Sequence, residues 1–206
     1  MRRLVLVAAA FMLLGGVAAV AQTEPEPSPD PGVPAKLAEA YQNELDANAR
    51  YLAFAAKADE EGYTTLASFF RAAGAAEKVH ASIFAKMIRE RGGKAEATAA
   101  APEVGATAEN LAAAIQAEVA ERDAIYRRLS AALRSAADEK AADLVEKIRG
   151  AEVEHANTLL DASRRLEELR SGPRTWYVCS GCGFTTDLKL PKCLNCPARG
   201  KWITVK

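Results

Sequence analysis

The sequence of 206 residues predicts a mainly α protein, four long helices followed by a small cysteine-built module. Three observations predict it. Helical periodicity fills residues 35–170 with almost no strand signal. Alanine is abundant and aromatic residues make up only 6%, which favours tightly packed helices over sheet. All four cysteines and both tryptophans fall after Pro173, where short β-like runs replace the helical pattern. Half the residues are hydrophobic, enough for one core and a small second module. Acidic and basic residues balance at 27 each, with no basic run, so there is no bulk attraction to nucleic acid.

The elements follow in order. Met1-Arg2-Arg3, an apolar run from Leu4 and then Ala19-Val20-Ala21 have the order of a secretory signal, residues 1–21, cleaved after Ala21. The other reading is an uncleaved anchor, since the whole run is just long enough to span a bilayer. Cleavage places the chain in a bacterial periplasm or outside the cell, with no membrane span left. Residues 22–34, QTEPEPSPDPGVP, form a Pro-rich tether. The first helix covers about 35–61 and stops at Gly62. The second starts with Thr64 or Thr65 as N-cap and ends near Arg91, before Gly92-Gly93. Residues 92–106 are a loop. The third helix starts after Thr107 and runs unbroken to about Ser135. Asp138 caps the fourth, which reaches about Arg170. Tight turns make each pair antiparallel, and the long middle link can cross the bundle. Two hairpins joined by one crossover, over 35–170, is the ferritin-like arrangement; the alternative is an up-down bundle with a long loop. Residues 174–206 are too few to fold by core burial alone.

Every helix turns a carboxylate inward. The apolar stripes run Leu37, Tyr41, Glu44, Asn48, Tyr51, Ala55 in the first helix and Leu66, Phe69 or Phe70, Ala73, Glu77, His80, Phe84, Met87 in the second. The third gives Leu111, Ile115, Glu118, Glu121 or Arg122, Ile125 and Leu129; the fourth gives Leu144, Ile148, Glu152, His155, Leu159, Ala162 and Leu166. One such Glu alone reads as a solvated helix face. Four at one level of a core repel each other and lose their hydration, and an unpaired buried charge costs several kcal/mol. Two divalent or trivalent metal ions neutralise them. Residues three apart share a helix face, so Glu77 with His80 and Glu152 with His155 can each address a metal. Glu44 and Glu118 supply single carboxylates and Glu121 is a seventh candidate, which is the di-iron carboxylate pattern. Oxygen donors with a few imidazoles suit iron or manganese better than copper or zinc. Gly74 and Gly150 precede the two E-x-x-H motifs. A mid-helix Gly costs about 1 kcal/mol relative to Ala, so either close packing or flexibility explains them.

Cys179-x-x-Cys182 and Cys193-x-x-Cys196 form two knuckles, the pattern of one tetrahedral four-sulfur metal site. In an oxidising compartment the same thiols could instead form two disulfides. Ligand type alone does not separate iron from zinc.

Together these stretches resemble the rubrerythrin family, a ferritin-like di-iron four-helix bundle followed by a small rubredoxin-like metal-knuckle domain. The resemblance covers about residues 36–206 and rests on ELDANARY (from Glu44), EKVH, AENLAAAIQAEVAE and AEVEH. It implies that Glu44, Glu77, His80, Glu118, Glu121, Glu152 and His155 hold two iron ions. Glu77 and Glu152 would bridge, and Glu121 and His80 would exchange on one iron. Tyr51 and Tyr126 would donate hydrogen bonds to ligand carboxylates, although core packing explains them equally. Cys179, Cys182, Cys193 and Cys196 would hold one further iron, or zinc. The implied activity is a non-haem di-iron peroxidase that reduces hydrogen peroxide to water in oxidative-stress protection. Electrons would pass from an unknown donor protein through the four-cysteine iron, between the subunits of a homodimer. The alternatives are a ferritin-like iron oxidation and storage protein, which needs a multi-subunit shell, and a non-enzymatic electron carrier or zinc-stabilised module. Three features depart from the family: the export signal, the shorter interval between cysteine pairs, and Pro197 where Gly is usual. The last two bear on the potential and identity of the four-sulfur metal.

Overall fold

The computed structural model describes residues 32–198 and 201–206. The expected signal, 1–21, lies outside the described residues, as does nearly all of the expected tether. Helix α1 (Gly32–Glu60) begins inside that tether, with Val33 packed on the core. Pro34 fits there because a first-turn residue has no helical N–H bond to lose. Gly62, at φ +82°, ends α1, and the Tyr63 N–H returns to the Ala58 carbonyl at 2.8 Å.

Helix α2 (Thr64–Glu90) is capped one or two residues before the expected Thr64 or Thr65. Its N-cap is Tyr63, because the Thr65 hydroxyl instead donates to the Gly172 carbonyl at 2.6 Å. Helix α3 (Thr107–Ala120) is capped by Ala106, not Thr107. Carboxylates close its open end: Glu109 accepts from the Ala106 N–H at 2.8 Å and Glu61 from the Thr107 N–H at 3.0 Å. Glu61 lies at the far end of α1 from the end of α2, so the 92–106 link travels the length of the bundle. It is pinned along α1 by Ala100 N–H to Asp46 (2.7 Å) and Gln42 to the Thr98 carbonyl (3.0 Å). This is the long crossover of the ferritin-like fold.

The expected unbroken third helix is interrupted. Residues Glu121–Ile125 form a π-turn between α3 and α4 (Tyr126–Ser135), in which the Tyr126 N–H bonds to the Glu121 carbonyl. A regular helix would place Tyr126 about 80° away from Glu118 around the axis. The extra residue of a π-turn removes about 100° and returns Tyr126 to the Glu118 face. Tyr126 is therefore fully buried, whereas Ile125, expected on the core stripe, is half-buried. Helix α5 (Glu139–Arg164) is capped as expected, Asp138 accepting from the Ala141 N–H at 3.1 Å. It stops short of the expected 170. A 3₁₀ turn, Leu166–Arg170, follows and buries Leu169 rather than Leu166.

The core has two halves. One gathers Phe54, Leu66, Phe69, Phe70 and Leu159, the other Leu37, Phe84, Met87, Leu129 and Ile148. Each fully buried side chain of this kind contributes about 1.5–3 kcal/mol, which helps to offset the polar layer in the bundle. Strands β1 (Trp176–Cys179), β2 (Thr185–Thr186) and β3 (Trp202–Val205) form an antiparallel sheet in the order β2-β1-β3. Val178 and Trp176 join the first half of the core, with Trp176 edge-on to Phe69 at 4.9 Å between ring centres. The small module is thus held by burial against the bundle as well as by its cysteines. No helix among the described residues is long and apolar enough to cross a membrane.

Candidate metal centres

All seven expected bundle residues are buried: Glu44 on α1, Glu77 and His80 on α2, Glu118 on α3, Glu121 in the π-turn, and Glu152 and His155 on α5. Six of them form two groups. Glu44, Glu77, His80 and Glu152 bring donor atoms within 4.8 Å of one another, as do Glu77, Glu118, Glu152 and His155. Glu77 and Glu152 belong to both. Glu152 sets one oxygen 2.9 Å from His80 Nδ1 and the other 2.9 Å from His155 Nδ1. Glu77 spans the same pair at 2.9 and 3.6 Å. These two carboxylates therefore have the reach of bridges.

The imidazoles are oriented from the other side. His80 Nε2 lies 3.0 Å from the Cys182 carbonyl, which can only accept, so Nε2 carries a proton. His155 Nε2 lies 3.0 Å from the Thr185 hydroxyl, whose own proton goes to the Gly183 carbonyl at 2.9 Å. Both Nδ1 atoms then face carboxylate oxygens with lone pairs. Acceptor against acceptor at 2.9 Å requires a cation, either an added proton or a metal. Six of the nine buried side-chain atoms without a hydrogen-bond partner among the described residues say the same: Glu44 Oε2, Glu77 Oε1, Glu118 Oε2, both Glu152 oxygens and His155 Nδ1 belong to the two groups. Oxygen-rich donors with one imidazole per centre suit two iron ions.

Tyr51 donates to Glu118 Oε1 and Tyr126 to Glu44 Oε1, leaving the second oxygen of each carboxylate for a metal. Burial raises both phenols well above their usual range, and the adjacent carboxylates add to it, so they remain donors. Burial also raises Glu44, Glu118 and Glu121. Burial pushes Glu152 up too, but the two imidazoles outweigh it and its pKa is lowered. His80 and His155 are raised, their carboxylate neighbours overcoming burial. Glu121 feels the charges of Glu44 and Glu118, yet stands outside both four-residue groups.

The four cysteines also converge. Cys179 and Cys196 sulfurs are 3.6 Å apart, Cys182 and Cys193 3.7 Å, and all four are free thiols. Disulfide sulfurs would be about 2.05 Å apart. A tetrahedron with metal–sulfur bonds of about 2.3 Å has edges of about 3.8 Å, so the spacing is that of a metal site. Hydrogen bonding from Cys182, helped by the Gly181 N–H, brings Cys179 down to about 5, a thiolate at neutral pH. Pro197 has no N–H to offer the second knuckle, which closes instead through Cys193 N–H to the Ala198 carbonyl at 3.1 Å.

The knuckle and the bundle meet at Gly183, which has φ +76°. A Cβ there would fall 2.0 Å from His80 Nε2. Gly183→Ala is expected to cost about 1–2 kcal/mol for the left-handed backbone alone, and more for the collision. Urea unfolding of the iron-loaded protein measures it, and an unchanged midpoint would refute the tight contact. Gly150 resolves as close packing, since a Cβ would meet Asn195 Oδ1 at 2.3 Å, whereas at Gly74 a Cβ would come only into ordinary contact with Tyr51 Cβ at 3.4 Å. Sequence reasoning missed Thr185 and the Cys182 carbonyl, since neither a lone threonine nor a peptide group carries a sequence signal.

The sequence model of one family, described as Rubrerythrin, matches residues 36–163. Among curated proteins, a rubrerythrin of Porphyromonas gingivalis is 33% identical over 165 residues, covering 77% of this chain and 80% of its own. A nigerythrin of Nitratidesulfovibrio vulgaris is 28% identical, covering 72% of this chain and 73% of its own. Among solved structures, nigerythrin in its fully reduced, all-ferrous state superposes with a TM-score of 0.78 at 25% identity, covering 90% of this chain and 91% of that one.

Proposed function

Because the chain belongs to the rubrerythrin family, with a di-iron carboxylate site in its bundle and a rubredoxin-like iron site on its four cysteines, we propose that it reduces hydrogen peroxide to water. The observation that carries this reading is the direct link between the two sites: the Cys182 carbonyl accepts the His80 Nε2–H at 3.0 Å. One hydrogen bond thus separates a cysteine of one donor set from a histidine of the other, which is what an electron relay needs.

Iron held by Glu44, Glu77, Glu118, Glu152, His80 and His155 would supply the two electrons that peroxide reduction needs. The chain's residues do the rest. Tyr51 and Tyr126 clamp Glu118 and Glu44, so each carboxylate keeps one oxygen for the site. Cys182 and Thr185 hold the imidazoles with Nδ1 facing inward. The fully buried carboxylate layer excludes bulk water, which strengthens each of these contacts. Glu121 and His80 are assigned as alternative donors on one side of the site. The expected relay runs between subunits; the contact of the knuckle with its own bundle supports a relay within one chain instead. A homodimer, an external donor protein and export to the periplasm belong to the same proposal.

The test uses protein loaded with iron, reduced without oxygen and mixed with stoichiometric peroxide. Oxidation of the bundle irons is expected to be orders of magnitude faster than that of ferrous ion in the same buffer, followed by slower oxidation of the four-cysteine iron. Equal rates for protein and free ion would end the peroxidase reading.

A further inference from the structure

We propose that Asn195 is a positioning residue that fastens the four-cysteine site to α5 and sets that iron's redox level through an N–H···S contact. Asn195 lies between Cys193 and Cys196, and its side-chain amide reaches out of this second knuckle to both the first knuckle and α5. Nδ2 is 2.5 Å from the Lys147 carbonyl on α5 and 3.4 Å from Cys182 Sγ. Both neighbours are acceptors, so only the NH₂ end of the amide fits there, and its two protons satisfy both. The Asn195 backbone N–H meanwhile points at Cys193 Sγ at 3.4 Å. One residue therefore addresses two of the four sulfurs.

The helix has been shaped to receive it. Asn195 Oδ1 occupies the place where a Cβ at position 150 would stand, 2.3 Å away, with Cγ at 3.1 Å. Gly150 is a costly residue for mid-helix, and the docked amide is what its missing side chain admits. The same helix carries Glu152 and His155 two and five residues later. Cys182 is consequently held at both ends, its sulfur by Asn195 and its carbonyl by His80. Hydrogen bonds to sulfur stabilise the reduced, more negatively charged iron–thiolate state and raise its potential. The amide thus holds the spacing between the two sites while favouring the reduced form of the second. Only the consequence for relay rate rests on the proposed function; the contact itself needs no more than iron on the cysteines.

The experiment compares the iron-loaded full chain with Asn195→Leu and Gly150→Ala. The second variant keeps every cysteine and the amide but removes its seat. Two readings are taken: the midpoint potential from a spectroelectrochemical titration of the ferric–thiolate absorption, and the rate of tryptic cleavage in the 164–174 stretch. Both variants are expected to show a lower potential and cleavage several-fold faster. A wild-type potential in Asn195→Leu, or wild-type cleavage in both variants, overturns the proposal. A residue that merely packed would loosen the linker without moving the potential. Neither reading depends on peroxide, so a failed peroxidase assay leaves this test intact.

Discussion

Glu152→Ala is expected to empty the bundle of iron and to lower the proposed peroxide reduction by about a thousandfold or more, the effect of losing roughly 4 kcal/mol of site stabilisation. Among the described residues only Glu77 is comparably placed, at 2.9 and 3.6 Å, and Glu152 is closer to both: its two oxygens lie 2.9 Å from Nδ1 of each histidine. Removing it takes a donor from both four-residue groups at once, leaving Glu44, Glu77 and His80 on one side and Glu77, Glu118 and His155 on the other. The two imidazoles lose their shared counter-charge, and breaking a buried charge pair from one side costs about 3–5 kcal/mol. Helix α5 itself should survive, because alanine is the better helix former. The knuckle cysteines are untouched, so one iron per chain should remain. Iron analysis, far-ultraviolet circular dichroism and stopped-flow mixing with peroxide read these three outcomes. A variant that keeps all its iron and its wild-type rate would show that the carboxylate layer is not the metal site.

The stripes that carry this argument were legible because a buried charge violates helix patterning, and four violations at one depth have few physical explanations. Glu44, Glu77, His80, Glu118, Glu152 and His155 all sit where the period placed them. The third helix shows where periodicity runs out. Its stripe was ambiguous between Glu121 and Arg122, and that ambiguity was the π-turn: the burial phase slips there by one residue, favouring Tyr126 over Ile125. A fixed period cannot represent an inserted residue, because the i→i+5 bond is decided by what the widened turn brings inward. Helix caps were legible where the side chain has one option, as with Asp138, and not where a tertiary acceptor competes for the hydroxyl, as Gly172 does for Thr65. The docking of the knuckle had a partial signal. Gly150 fitted a close approach and flexibility equally, and its occupant, Asn195, is separated from it by a linker and a sheet whose geometry no local pattern encodes.

Removing the iron is expected to reverse the pH dependence of stability. In the metal-free protein Glu44, Glu118 and Glu121 have raised pKa values, chiefly through burial, so the fold retains protons that the unfolded chain releases above about 4.5. His80 and His155 are raised by the carboxylates around them, so the fold also retains protons that the unfolded chain releases above about 6.5. In both cases the folded state binds more protons than the unfolded, and unfolding free energy falls as pH rises. Each such group contributes up to about 1.4 kcal/mol per pH unit within its window. Glu152 and Cys179 are lowered and act in the opposite sense. The Glu152 contribution is lost only as pH falls below about 4.5, whereas Cys179, brought down to about 5, opposes the trend between about pH 5 and 9 as a single group against the several raised ones. Iron changes the sign because it takes the place of those protons. Binding requires ionised carboxylates and unprotonated Nδ1 atoms, so it releases protons and strengthens as pH rises. Free metal at a thousand times its dissociation constant adds about 4 kcal/mol to the folded state. Denaturant unfolding between about pH 5.5 and 8.5 should therefore show the metal-free midpoint falling and the gap to the iron-loaded protein widening. A metal-free protein whose stability is flat or rising over that range would mean that the cluster holds no excess protons, and its acids would need some counter-charge other than a cation that iron can replace.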